Sequence, residues 1–154
     1  YTTLFRSNHS LSHNFNLLYP GRVPNQSQIV SEVDQTNANF QAILGKDFKT
    51  RIFRYPGGHM SWQGLEATDH ALANQGIQWI DWNMLCGDAE PLSVRPTTSE
   101  TMMAYMDGSQ QYFPESHVKV VLMHDTAGKE LTVQTLPQII EYFKNQGYTF
   151  GVLE

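Results

Sequence analysis

The chain has 154 residues, 40% hydrophobic and 16% charged, with a formal net charge of -5, which is the size of one domain with material for a real core and not a disordered composition. It has no Lys/Arg cluster of the kind that neutralises a phosphate backbone, which excludes nucleic-acid binding as the main task. No apolar run approaches the roughly 18 residues needed to cross a bilayer, and Cys86, the single cysteine, cannot form an internal disulfide.

The chain starts at Tyr1 without a signal-peptide pattern, which reads as a processed or truncated product. Close to that start, NHSLSHN sets His9 and His13 four residues apart among small hydroxyl residues. Two imidazoles at that spacing can point the same way and share one cation. Residues 25–44 then read as an amphipathic helix with Ile29, Val33, Phe40 and Leu44 on its apolar face. Asn25 with Gln28 is its capping pair and Gly45 its stop. Residues 49–54, KTRIFR, form a short strand that YPGG at 55–58 ends. A second helix is expected over 61–75, closed by Gly76, and a strand over 77–82.

The third helix is expected from Thr97 to about Ser109, with Thr97 and Glu100 as a capping box; Met102, Met103 and Met106 on it read as core packing. VKVVLM at 118–123 is nearly all apolar and β-branched, as in a parallel strand covered on both faces. The last helix spans about 132–146, with Leu136, Ile139, Ile140 and Phe143 on one side and Pro137 near its first turn. Gly147 stops it, and 148–153 is a closing strand. Strands alternating with helices, without a linker or repeat, imply one α/β domain over 1–154 with a parallel sheet.

Active sites of such folds gather at the carboxyl ends of strands, where RYPGGH (54–59), DWNMLCGD (81–88) and His124-Asp125 would lie. His9-Ser10-Leu11-Ser12-His13 resembles an H-[ST]-x-x-H metal motif, Arg54-Tyr55-Pro56-Gly57-Gly58 an R-x-P-x-G motif, residues 81–89 a tryptophan/aspartate segment, and Leu122-Met123-His124 an L-x-H motif. In this order, with the tail LPQIIEYFKNQGYTFGVL, they resemble the polysaccharide deacetylases, the NodB-homology or carbohydrate esterase family 4, along essentially the whole chain.

The resemblance implies a distorted, incomplete (β/α) barrel and a metal-dependent hydrolase that removes N-acetyl groups from amino-sugar polymers such as peptidoglycan or chitin-like glycans. It implies a divalent cofactor, zinc or else cobalt or manganese, on His9 and His13. It further implies His124 as the general acid, a backbone donor at Gly57 for the oxyanion, Leu122 against the acetyl methyl, and Arg54 paired with a catalytic carboxylate. Tyr55 and Trp82 are expected along the substrate, Trp82 as groove wall. The partner would be an acetylated polysaccharide, and the location the outside of a bacterial cell.

Two departures accompany the resemblance. The family's T-F-D-D motif is absent, since the chain has no adjacent Asp pair. That reads as the carboxyl-terminal part of a domain lacking its first strands, with exposed sheet edges that could drive dimerisation and with doubtful activity on its own. Aligning Gly87-Asp88 with the family's G-D puts Leu85 where the aspartate that tunes the histidine belongs and Ala89 where the groove tryptophan belongs; Asp88 or Asp81 is then the substitute. The competing reading is a non-catalytic domain that keeps a sugar groove. A metalloprotease fails because Ser10 stands where H-E-x-x-H needs its glutamate.

Overall fold

The structure, a computed structural model, describes residues 7–152. The chain divides after Asp81 into two compact units, the second spanning Trp82–Gly151. The first carries α1 (Phe15–Leu18), α2 (Gln26–Leu44), β1 (Ile52–Phe53), α3 (Glu66–Asn74) and β2 (Gln78–Trp79). The second carries β3 (Met84–Leu85), α4 (Ser99–Ser109), β4 (Val121–Leu122) and α5 (Glu130–Asn145). Strands and helices alternate, and each unit holds one parallel pair, β1 with β2 and β3 with β4. The expected α/β class with parallel pairing is therefore what forms.

In the first unit α2 begins where the sequence places it, because the Asn25 side chain accepts the Gln28 amide, and it stops at Gly45. Ile29 and Val33 join Leu18, Tyr19, Phe53, Tyr55, Leu65, Leu72 and Ile77 in one buried cluster. Glu32 is buried on the same stripe. Strand β1 is shorter than expected because Thr50 bonds its own backbone neighbour Ile52 and ends the ladder locally. The predicted helix over 61–75 starts only at Glu66. Before it, His59–Ser61 form a 3-10 turn held by the Asp81 carboxylate, which accepts the His59 and Met60 amides at 2.9 Å each.

The second unit packs Met84, Cys86, Met102, Met106, Ile139 and Phe143. Its first strand, β3, falls inside a segment read from sequence as a strand end. The capping box of α4 is Thr98 with Thr101, one residue later than expected: Thr98 accepts the Thr101 amide and Thr101 Oγ1 accepts the Thr98 amide. Asn83 explains the shortness of β4, since its side chain bonds the backbone of Val118 and Val120 in place of ladder partners. Val118 is exposed rather than covered.

Pro137 does not sit in the first turn of its helix; α5 begins at Glu130 and the proline is interior. The carbonyl it deprives of a bond belongs to Val133, which faces solvent. Thr132, Thr135, Ile139 and Phe143 form the buried stripe, and Leu136 is partly exposed. Residues 148–152 are not a strand, and Leu153, the expected strand end, lies outside the described residues.

Gly87 joins β3 to Asp88 with φ +80°. A Cβ there would lie 2.8 Å from Tyr105 Cδ1 and 3.0 Å from Pro96 Cδ. Gly87→Ala combines a left-handed alanine with a clash against a ring, and is expected to cost about 3 kcal/mol in urea unfolding.

Candidate active site

The candidate residues fall in both units. In the first, Asn8 is fully buried and fastens the start of the histidine loop. Its backbone bridges to Phe53, donating to Ile52 O and accepting from Arg54 N. Its side chain donates to Val33 O and Asn37 Oδ1 and accepts the Ser10 amide. The loop then turns through two left-handed residues, Ser10 at φ 67° and His13 at φ 51°. Such conformations are costly for non-glycine residues and persist where surroundings enforce them.

Glu32 is the enforcing group. Its Oε2 accepts the Leu11 amide at 3.1 Å and the Ser12 amide at 2.9 Å, and its Oε1 accepts Ser12 Oγ at 2.7 Å and Gln28 Nε2 at 3.0 Å. Burial pushes its pKa up, but the hydrogen bonds from Ser12, Gln28 and Leu11 outweigh it, leaving it below the usual carboxylate range. The loop so held brings the His9 and His13 ring centroids to 5.0 Å. His9 Nδ1 lies 2.8 Å from Arg54 O. A carbonyl only accepts, so Nδ1 carries the hydrogen and Nε2 the lone pair, the tautomer that a metal-binding imidazole needs. The donor set thus fits half of a divalent-ion site. Among the described residues no group of three or more His, Cys, Asp or Glu side chains comes together to complete one.

Arg54 follows β1 and is half-buried; burial lowers its pKa and the Asp81 charge opposes that. Tyr55, expected along the substrate, is fully buried, and its hydroxyl donates to Asp69 at 2.8 Å. A side chain without exposed surface touches no ligand, so its role is to hold the turn rather than to bind. Asp69 on α3 also pairs with His59 Nε2 at 2.8 Å, and His59 stacks on Trp79 at 3.7 Å. Gly57 has φ 82°, and a Cβ there would press on Trp62 at 3.2 Å and Phe15 at 3.3 Å. Asp81 closes the 59–61 turn.

In the second unit the register Leu85 opposite Leu122 sets Asp88 and His124 just past the ends of β3 and β4. Asp88 is almost fully buried. Its Oδ2 accepts His124 N at 2.8 Å and Thr132 Oγ1 at 3.1 Å, and its Oδ1 lies 2.8 Å from His124 Nδ1. Burial raises its pKa, but the bonds and charge of His124 and the bond from Thr132 bring it below the usual range. Lys129 Nζ donates to the Asp88 carbonyl. The carboxylate only accepts, so it fixes the Nδ1–H tautomer of His124 and leaves the lone pair on Nε2. The partner that alignment places at Leu85 is therefore supplied by Asp88. Leu122 and Trp82 are partly buried. Cys86 is buried and its thiol pushed up to about 11, mainly by burial, which makes it a poor nucleophile.

Relatives of known kind share this arrangement of chain. No family model matches it. A Streptococcus mutans CE4 esterase structure superposes with a TM-score of 0.94 and 56% identity, over 96% of this chain and 62% of that one. Along nearly its whole length the chain is similar to polysaccharide deacetylases of carbohydrate esterase family 4, and it spans less than two thirds of the length of each of these relatives. The catalytic domain of a peptidoglycan N-acetylglucosamine deacetylase from Eubacterium rectale matches at TM-score 0.72 and 28% identity, over 96% of this chain and 64% of that one. A curated relative from Bacillus subtilis (strain 168), "Putative polysaccharide deacetylase YheN", is 30% identical over 147 residues; the match takes in 95% of this chain and spans 47% of that protein. The fold is the family's α/β fold of NodB type, as the motif order implied.

Proposed function

We propose that the protein is a metal-dependent hydrolase that removes N-acetyl groups from an extracellular bacterial amino-sugar polymer of the peptidoglycan or chitin type. The observation that carries this is the pair His9 and His13, locked by Glu32 and by the Arg54 carbonyl with the His9 lone pair on Nε2, in a chain related to polysaccharide deacetylases. His9 and His13 would hold a zinc-type ion, with cobalt or manganese as substitutes. Such an ion, when bound, polarises the acetyl carbonyl and makes water nucleophilic at neutral pH.

The chain's own groups account for the remaining steps. The Gly57 amide takes the position of a donor to the oxygen that gains negative charge, and the absence of a Cβ there lets the turn pack against Trp62. Leu122 takes the acetyl methyl. Water adds to the carbonyl carbon as its proton passes to the lone pair of His124 Nε2, the imidazolium so formed returns that proton to the departing nitrogen, and the C–N bond breaks to yield acetate and, at neutral pH, the ammonium form of the amine. Asp88 keeps His124 in the tautomer and orientation for that transfer.

The test is acetate release by the whole protein from chitooligosaccharide and from peptidoglycan with added zinc or cobalt. Release is expected, and His13→Ala is expected to lose both the retained metal and the release. Inertness with every divalent ion tried overturns the hydrolase reading, and unchanged metal stoichiometry in His13→Ala overturns the assignment of the pair.

A further inference from the structure

Three non-glycine residues among the described ones adopt left-handed backbone: Ser10, His13 and Arg22. The first two belong to the histidine loop. Arg22, at φ 69°, follows Gly21, also left-handed at φ 60°, and none of the motifs accounts for it. A long side chain at such a position marks a constraint worth explaining.

The strained turn delivers the Arg22 guanidinium to Trp62. Its Cζ lies over the indole at 5.3 Å, and its Nη2 donates to Ser61 O at 3.3 Å. Trp62 is itself rigid: Tyr19 stacks on it at 3.8 Å with planes 10° apart, and its Nε1 donates to Pro56 O, beside Gly57. Phe15 meets Trp62 at 5.4 Å and His13 at 5.3 Å. His13, Phe15, Trp62 and Arg22 thus form a continuous series of contacts within one unit, leading from the histidine pair to the guanidinium. A cleft of about 260 Å³ opens there, lined by Arg22, Met60, Ser61, Trp62 and Gln63 and by no acidic side chain. Arg22 forms no ion pair with a carboxylate among the described residues. A guanidinium fixed on an aromatic plane, one donor used and the rest facing a cleft, is arranged to receive a planar anion through two parallel hydrogen bonds.

We propose that Arg22, presented on Trp62, binds a carboxylate carried by a sugar adjacent to the one being deacetylated, so that the protein selects an acidic glycan over a neutral one. This deepens the deacetylase reading and rests on it. In a chain of net charge -5, attraction for an anionic polymer must come from such local cations rather than from the overall field.

The test compares affinity for an N-acetylglucosamine–N-acetylmuramic acid disaccharide with that for its methyl ester, which is neutral, by titration calorimetry on the whole protein. The acid is expected to bind about tenfold more tightly at low ionic strength, with the preference shrinking as salt is added. Arg22→Gln is expected to abolish the preference. Arg22→Gly, which takes the left-handed turn without strain, is expected to do the same in a protein that melts no lower than the parent; Arg22→Lys is expected to retain part of it. Equal binding of acid and ester by the unaltered protein, or a preference that survives in Arg22→Gly, overturns the proposal. Acetate release from neutral chitooligosaccharide by the unaltered protein reports on the deacetylase reading alone, so the two can fail separately.

Discussion

Asp88→Asn is expected to lower turnover by about three to four orders of magnitude, the size seen when the orienting carboxylate of a catalytic histidine is made an amide. The carboxylate accepts from three donors at once: the His124 amide, His124 Nδ1 and Thr132 Oγ1. An asparagine has one accepting oxygen. Turned to keep the backbone and threonine bonds, it presents an NH2 group to Nδ1, and the ring answers by moving its hydrogen to Nε2. The imidazole then sits in place with the wrong tautomer, so binding of the disaccharide should persist while acetate release collapses. Asp88→Asn should also cost about 1 kcal/mol, since charge-assisted hydrogen bonds become neutral ones.

The same substitution has a pH signature. Because the folded pKa of Asp88 lies below its ordinary value, its contribution to stability is complete above the unfolded carboxylate pKa of about 3.9 and is lost as pH falls through the folded value. Glu32 acts in the same direction. Urea midpoints measured downward from neutral pH should therefore fall in the acid range, and fall less steeply in Asp88→Asn. An acid limb unchanged by the substitution would assign the loss to other carboxylates.

How much of this was legible in the sequence follows from what each feature depends on. Helix α2 was readable because its signals are local: an Asn25 cap, an apolar period and a terminal glycine. The strands were readable as places but not as lengths, because Thr50 and Asn83 compete with the ladder through side-chain bonds that composition does not reveal. Pro137 misplaced the start of α5, since a proline is cheap in a first turn and also tolerable where the orphaned carbonyl meets water. His9, His13 and His124 were visible as motif residues. The partnership of Asp88 with His124 spans 36 positions and depends on the β3–β4 register, which the chain does not announce. Tyr55 misled because a motif residue next to a catalytic one is easily read as a contact, whereas here it points into the core. The sequence did hold one unused signal for Glu32: an acidic residue between Ile29 and Val33 on an apolar stripe must be buried, and a buried carboxylate needs donors.

That carboxylate is the basis of the second large effect. Glu32→Ala is expected to weaken metal retention by about 10- to 100-fold, the range for loss of a residue that orients metal ligands, although Glu32 touches neither histidine in the bonds that hold it. Its removal frees the Leu11 and Ser12 amides and the Ser12 hydroxyl together, and with them the restraint on left-handed Ser10 and His13. Water can satisfy the exposed amides, so stability should drop by only about 1–3 kcal/mol while the geometry of the pair is lost. Glu32→Gln separates shape from charge. Its carbonyl can keep both amides on one oxygen, as Oε2 does now, and its NH2 can donate to a Ser12 hydroxyl turned to accept. It should therefore retain metal far better than Glu32→Ala, as read by metal analysis after dialysis. Equal loss in the two variants would mean that the negative charge beneath the loop, rather than the hydrogen-bonded shape it imposes, is what brings the cation in.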